Sequence, residues 1–258
     1  MKVVLLAGGL GTRISEESHL RPKPMIEIGE KPILWHIMKL YSHYGFNEFI
    51  ICAGYKQHVI KEWFANYFLY NSDITFDFKC GGKTIVHNNI SEPWEVTVVD
   101  TGLYSSTGMR IKNIAPYIGE EPFCMTYGDG VADINIRELV DFHNSHGKLA
   151  TLTSVLPESR YGVLDMNGEK VISFREKNQV DRGWINGGFM VLEPEVIKYI
   201  DGDIMFERGP LEKIAEEGQL IAYKHLGFWQ CMDTLRDKEK LESMWASGKA
   251  PWKVWEGK

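Results

Sequence analysis

The sequence predicts an α/β fold, a Rossmann-like and mostly parallel sheet with helices on both faces and a smaller β-rich part. Two observations carry this. Short β-rich runs alternate with amphipathic stretches through the first half of the 258 residues, and the β-rich runs are almost continuously apolar. A strand that is apolar at every position is buried on both faces, and connections long enough to hold a helix join parallel neighbours. The elements follow in order. Val3–Leu6 is a strand because its aliphatic run stops at glycines. Ile33, Ile37, Leu40 and Tyr41 recur at helical spacing and predict a helix over Ile33–Tyr44. Phe49–Ala53 is the next apolar run, with a helix over Val59–Tyr70. Ile74–Phe78 and Val96–Val99 read as strands, Met109–Tyr117 as a short helix and Phe123–Tyr127 as a strand. Asn135–His146 is a helix and Ala150–Leu156 a strand. The second half is denser in strands: Gly162–Met166, Lys170–Arg175 and Phe189–Leu192, with Asn167-Gly168 as a hairpin turn between the first two. Helices are expected over Glu195–Ile200, Leu211–Glu217 and Leu235–Trp245. No linker or repeat interrupts the chain, so one domain is expected. The Trp252 and Trp255 side chains near the C-terminus must cover something, either this core or a neighbouring subunit.

Composition narrows the function. Lys and Arg number 29 against 35 Asp and Glu, a formal charge of −6, with 44% hydrophobic and 25% charged residues, as in ordinary globular proteins. No apolar run approaches bilayer-spanning length, and the apolar part of Met1–Gly9 is too short for a signal peptide. A pI near 5.8 without a basic block argues against nucleic acid as a partner. A cytoplasmic enzyme is expected. The four cysteines lack paired metal spacing, and Cys52 and Cys124 lie in strand-like runs where Cys packs as a small hydrophobe. His143 and His146 are three apart on a helical stretch, but no H-E-x-x-H-type motif surrounds them.

The chemistry concentrates in a few places. Gly8-Gly9-Leu10-Gly11-Thr12-Arg13 directly follows the first strand, where α/β sheets bind ligands. Glycines let backbone N–H groups approach a phosphate or a flat base, and Arg13 adds a fixed cation. The same residues would also suit a plain surface turn. The phosphate loop G-x-x-x-x-G-K-[ST] is absent, and the dinucleotide motif G-x-G-x-x-G would need glycine where Ile14 stands. Nicotinamide chemistry is therefore disfavoured. In Arg21-Pro22-Lys23-Pro24-Met25 the flanking prolines hold Lys23 in an extended segment, suited to aiming an ammonium at a phosphate. Asp129 lies between Gly128 and Gly130 at a strand's carboxyl end, either as a metal ligand or within a tight turn. Asp233, just before the final helix, is either a second ligand or an N-cap.

These residues resemble the signature of the sugar-phosphate nucleotidyltransferases. The likeness runs through Gly8–Arg13, Lys23, Gly128-Asp129-Gly130, Tyr161-Gly162-Val163-Leu164, Phe174-Arg175-Glu176-Lys177 and Asn186-Gly187-Gly188-Phe189. More narrowly, Pro22–Gly29, Pro32–Met38 and Phe228–Asp237 resemble the glucose-1-phosphate cytidylyltransferases. The resemblance implies transfer of a cytidylyl group from CTP to α-D-glucose 1-phosphate with Mg²⁺, releasing pyrophosphate. It implies a nucleotide-binding part over roughly 1–135 and a sugar-binding and C-terminal part over 136–258. Leu6, Ala7, Gly8, Gly9, Gly11 and Thr12 would hold base and ribose, joined by Ser105, Arg110 and Gly128. Arg13 and Lys23 would neutralise the triphosphate. Asp129 and Asp233 would hold Mg²⁺. Lys177 would clamp the sugar phosphate, with Tyr161, Gly162, Glu176, Asn186 and Gly187 around the sugar. It also implies a homo-oligomer, a hexamer, serving CDP-linked sugars of surface polysaccharide. No single residue demands cytosine, so dTTP or UTP, or a non-catalytic nucleotide-sugar binder, are the alternatives.

Overall fold

Val3–Ala7 forms strand β1, and all five residues are buried. The pleat explains the unbroken apolar run: Val3, Leu5 and Ala7 enter one core, and Val4 and Leu6 the other. The computed structural model describes residues 1–157, 162–167, 170–176 and 183–256. Six more strands complete the central sheet: β2 (Glu48–Ala53), β3 (Glu95–Asp100), β4 (Phe123–Tyr127), β5 (Ala150–Val155), β6 (Ile185–Leu192) and β7 (Leu220–His225). Their order is β7-β5-β6-β4-β1-β2-β3. Neighbours are parallel except around β6, which runs antiparallel to both β4 and β5. β2 lies on one side of β1 and β4 on the other, so the carboxyl end of β1 is a switch point in strand order, where open sheets form a crevice. The β4–β6 pairing also carries the sheet across residue 135.

Helices cover both faces. One layer holds α1 (Ile33–His43), α2 (Gln57–Tyr70), α4 (Ile136–His146) and α6 (Leu235–Ala246), burying side chains such as Ile37, Ile60, Leu139 and Leu241. The other holds α3 (Thr107–Asn113) and α5 (Pro210–Glu216), burying Ile111 and Ile214. The mostly parallel α/β fold expected from the sequence is the one observed.

Local departures have local causes. The helix expected over Met109–Tyr117 is two pieces, because α3 stops at Asn113 and a new turn starts at Ala115 with Pro116 near its beginning. Proline has no N–H to continue the ladder. The expected Glu195–Ile200 helix is a tighter 3-10 turn over Pro194–Tyr199. The strand expected at Ile74–Phe78 lies outside the central sheet: Ser72–Asp77 pairs with Lys83–Asn89 in a separate hairpin.

The C-terminal tryptophans cover this chain's own core. Trp252 is 1% exposed, and its indole Nε1 donates to His36 Nδ1 at 3.3 Å. His36 Nε2 faces the Ile28 carbonyl at 2.8 Å. An Nδ1 that accepts and an Nε2–H that donates describe neutral imidazole. Burial drives the His36 pKa down to about 4. Trp35 and Trp245 pack edge-on against the same ring.

Candidate active site

The cavity at the carboxyl end of β1 has a volume of about 430 Å³. Its floor is Leu6 and Ala7, and its rim is Gly8, Gly9, Gly11 and Thr12. Gly8 is required by close approach: a Cβ there would lie 2.1 Å from Arg110 Nη1. Arg110, Ser105 and Gly128 also line the cavity, as do Arg13, Lys23, Asp129 and Asp233. The residues expected on the nucleotide side thus come together in one place.

Arg110 occupies that place in a way the resemblance does not suggest. It is 4% exposed. Its Nη1 donates to Gly102 O and Thr101 Oγ1, both at 2.8 Å, and its Nη2 to Gly8 O at 2.9 Å. Weaker bonds reach Ala53 O at 3.3 Å and Leu103 O at 3.4 Å. Burial lowers its pKa. The guanidinium therefore fastens the Gly8 loop to the Thr101–Leu103 loop, shaping the cavity wall with donors already engaged.

The charged cluster has a simple geometry. Lys23 follows Pro22, held at φ −66° and ψ 148°, and begins a single 3-10 turn over Lys23–Met25. Its ammonium donates to Asp129 Oδ2 and to Asp233 Oδ1, each at 2.6 Å. Arg13 Nη1 donates to Asp233 Oδ2 at 3.0 Å. Burial works against the Lys23 charge, but the two carboxylates outweigh it and leave its pKa raised. For Asp233, burial opposes ionisation, yet Lys23 and then Arg13 prevail and hold its pKa below the ordinary carboxylate value. Lys23 is only 12% exposed, against 76% for Arg13. Arg13 thus meets Asp233 from the solvent side of the cluster, while Lys23 is enclosed between the two carboxylates.

A small ribbon makes the two aspartates converge. Gly130–Ala132 pairs antiparallel with Trp229–Cys231, with Gly130 opposite Cys231. Met232 N–H donates to Asp129 O at 2.8 Å. Asp233 does not cap α6. Thr234 is the N-cap, accepting from Asp237 N, while Asp237 Oδ2 accepts from Thr234 N at 2.9 Å. This reciprocal cap frees the Asp233 carboxylate for Lys23 and Arg13.

A divalent cation suits this donor set. The two carboxylates already hold one cation between them, and Mg²⁺ commonly takes one or two carboxylates plus substrate phosphate oxygens. Among the described residues, no group of three or more His, Cys, Asp or Glu forms a closed cage, so the remaining oxygens would come from a bound nucleotide. His143 and His146, by contrast, both face the Thr151 hydroxyl at 2.8 Å.

On the sugar side, Tyr161 and Lys177 lie outside the described residues. Gly162 and Glu176 are register partners in the hairpin Gly162–Asn167 with Lys170–Glu176. Asn186 and Gly187 lie on β6. Asn186 Nδ2 donates to the Tyr127 hydroxyl oxygen Oη at 3.2 Å, and Trp229 Nε1 donates to the Gly187 backbone O at 2.7 Å. Tyr127, Thr107 and Met205 also line the cavity and were not anticipated. The position of Tyr127, last in an apolar strand and just before Gly128-Asp129, is the signal that could have marked it.

Comparison with known proteins bears on the family and the fold. A family model described as nucleotidyl transferase matches residues 2–222. A glucose-1-phosphate cytidylyltransferase of Salmonella typhimurium is 57% identical over 258 residues, covering 99% of this chain and all of the relative. The crystal structure of HddC from Yersinia pseudotuberculosis superposes with a TM-score of 0.66 at 25% identity, covering 95% of this chain and 99% of that one. A UDP-glucose pyrophosphorylase from Acinetobacter baumanii shares the fold with a TM-score of 0.65 at 17% identity, covering 93% and 91%. With a family match over most of its length, this chain belongs to the nucleotidyl transferase family.

Proposed function

We propose that the chain transfers a cytidylyl group from CTP to α-D-glucose 1-phosphate, giving CDP-glucose and pyrophosphate. The observation that carries the reaction class is the Lys23–Asp129–Asp233–Arg13 cluster beside the Gly8 loop. The choice of base and sugar is supported by the full-length identity to a glucose-1-phosphate cytidylyltransferase.

The residues divide the work by position. Backbone at Ala7–Gly9 offers N–H groups to the base and ribose, on a wall that Arg110 fastens through the Gly8 carbonyl. Lys23 and Arg13 neutralise the triphosphate and the departing pyrophosphate, whose charge grows in the transition state. Asp129 and Asp233 would hold Mg²⁺. When bound, the ion would screen the charge of the reacting phosphates. Lys177 binds the phosphate of glucose 1-phosphate, and Glu176 and Asn186 contact sugar hydroxyls. The phosphate oxygen of glucose 1-phosphate attacks the α-phosphorus of CTP as its bond to the pyrophosphate oxygen breaks. Positioning and charge neutralisation suffice, with no covalent enzyme intermediate. The same reading carries a cytoplasmic location and a homo-oligomer, a hexamer. The hairpin over residues 72–89, with Phe78 84% exposed, offers apolar surface for subunit contact.

The test is pyrophosphate release with glucose 1-phosphate and Mg²⁺, comparing CTP, dTTP, UTP, ATP and GTP. Release confined largely to CTP supports the proposal. Preference for another nucleotide removes the cytidylyl assignment, and silence with all five on folded protein removes the activity.

A further inference from the structure

Tyr127 ends β4 and lines the cavity, and its hydroxyl joins β4 to Glu207 and to Asn186 on β6. The Tyr127 O–H donates to Glu207 Oε1 at 2.6 Å. Glu207 Oε2 accepts from the Thr107 hydroxyl at 2.6 Å, whose oxygen in turn accepts from Phe206 N–H at 2.8 Å. One carboxylate therefore ties β4, beside Asp129, to the first residue of α3. Through Tyr127 it also reaches Asn186 on β6.

The direction of each bond follows from what the groups are able to donate. Gly188 N–H donates to Asn186 Oδ1 at 2.8 Å. That fixes the carboxamide, so Nδ2 is the atom facing Tyr127. The Tyr127 oxygen accepts from Nδ2, so its own proton needs a different acceptor, and the Glu207 carboxylate supplies it. The chain runs from Asn186 through Tyr127 to Glu207 and is anchored at both ends. One Nδ2–H is spent on Tyr127, and among the described residues no acceptor takes the other. Gly188, at φ +91°, leaves room for this arrangement: a Cβ there would sit 2.7 Å from Tyr127 Cδ2.

We propose that Glu207 is a positioning residue for the sugar-phosphate side of the reaction, locking the Asn186 carboxamide through the Tyr127 hydroxyl with one N–H ready for a sugar oxygen. This rests on the cytidylyl-transfer reading above, in which Asn186 contacts the sugar.

Four proteins test it: wild type, Tyr127→Phe, Glu207→Ala and the double variant. The readouts are KM for glucose 1-phosphate from pyrophosphate release, and the affinities for CDP and CDP-glucose by calorimetry. Tyr127→Phe removes the lock and should raise the KM for glucose 1-phosphate about tenfold, the loss of roughly one hydrogen bond. It should weaken CDP-glucose by a similar factor and leave CDP within about twofold. Glu207→Ala should also raise the KM for glucose 1-phosphate. In the Tyr127→Phe background, however, Glu207→Ala should no longer move it, because both act through one hydroxyl. An unchanged KM in both single variants, equal weakening of CDP and CDP-glucose in Tyr127→Phe, or multiplicative effects in the double variant would each overturn the inference. If wild type turns over and the variants match it, the inference fails alone. If wild type releases no pyrophosphate from CTP and glucose 1-phosphate, the reaction assignment fails and the inference with it.

Discussion

Replacing Lys23 by Met separates the charge of this residue from its bulk. In the wild type the ammonium lies 2.6 Å from both Asp129 and Asp233. Stripping the partner from a fully buried ion pair costs about 3–5 kcal/mol. Here the carboxylates are 29% and 24% exposed, so water screens part of the loss, and about 2 kcal/mol is expected. For a chain of this size that lowers Tm by roughly 5 °C in EDTA. The sign with pH follows from the shifts. The Asp233 pKa is depressed, so its contribution is present above the ordinary carboxylate value and is lost as pH falls through the folded value. The Lys23 pKa is raised, so its contribution is present below 10.5 and is lost as pH rises through the folded value. The difference between wild type and Lys23→Met should therefore be greatest near neutrality and shrink at both extremes. Magnesium gives the sharper contrast. Without the ammonium two carboxylates face each other, so Mg²⁺ at ten times its Kd should return about 1.4 kcal/mol to the variant. In nucleotide-free wild type Lys23 competes for the same oxygens, and Mg²⁺ should move Tm far less. Calorimetric scans with EDTA and with Mg²⁺ decide the matter. Equal Mg²⁺ stabilisation of both proteins, or no destabilisation in EDTA, would refute the reasoning.

Other perturbations follow from the same geometry. Asp129→Asn should cut turnover by roughly two to four orders of magnitude in a protein that still folds, and near-normal turnover across a Mg²⁺ titration would remove Asp129 from the metal site. Gly8→Ala drives a methyl into the Arg110 guanidinium, so CTP affinity measured by calorimetry should fall about tenfold or more; wild-type affinity would contradict the clamp. His36 is held neutral down to about pH 4. Stability should therefore be full above pH 6.5 and fall by about 1.4 kcal/mol per pH unit as pH drops from 6.5 toward 4, about 3 kcal/mol in all. Urea unfolding across that range should lose this slope in His36→Gln, and an identical slope in both proteins would exclude His36 as its source.

Sequence made part of this site legible because part of it is local. Gly8–Arg13 and the proline-flanked Lys23 announce themselves within a few residues, and the apolar runs of β1, β2 and β4 mark a sheet covered on both faces. What sequence could not show is convergence. Lys23 and Asp233 are 210 residues apart, and the ribbon that brings Asp233 beside Asp129 is two three-residue strands, too short for any period to register. β7 carries no sequence signal for a different reason: Leu220–His225 is an edge strand whose residues are half-buried or exposed, without a clean apolar run. Arg110 shows the limit of resemblance. Likeness put it beside the nucleotide, and it does line the cavity, but its donors are engaged by the carbonyls of Gly8 and Gly102. Glu207 carries no local signature, since its importance depends on Tyr127 and Thr107 arriving from two other segments.

The most direct test of the central claim is ³¹P NMR of one mixture: the protein, CTP, α-D-glucose 1-phosphate and Mg²⁺. Cytidylyl transfer predicts that the three CTP resonances and the sugar-phosphate resonance decline together. In their place the paired diphosphate signals of CDP-glucose and the single line of pyrophosphate should grow in equal amounts. Accumulation of CMP with pyrophosphate while glucose 1-phosphate stays intact would mean hydrolysis, and an unchanged spectrum with folded protein would mean binding without transfer. Either result would contradict the account.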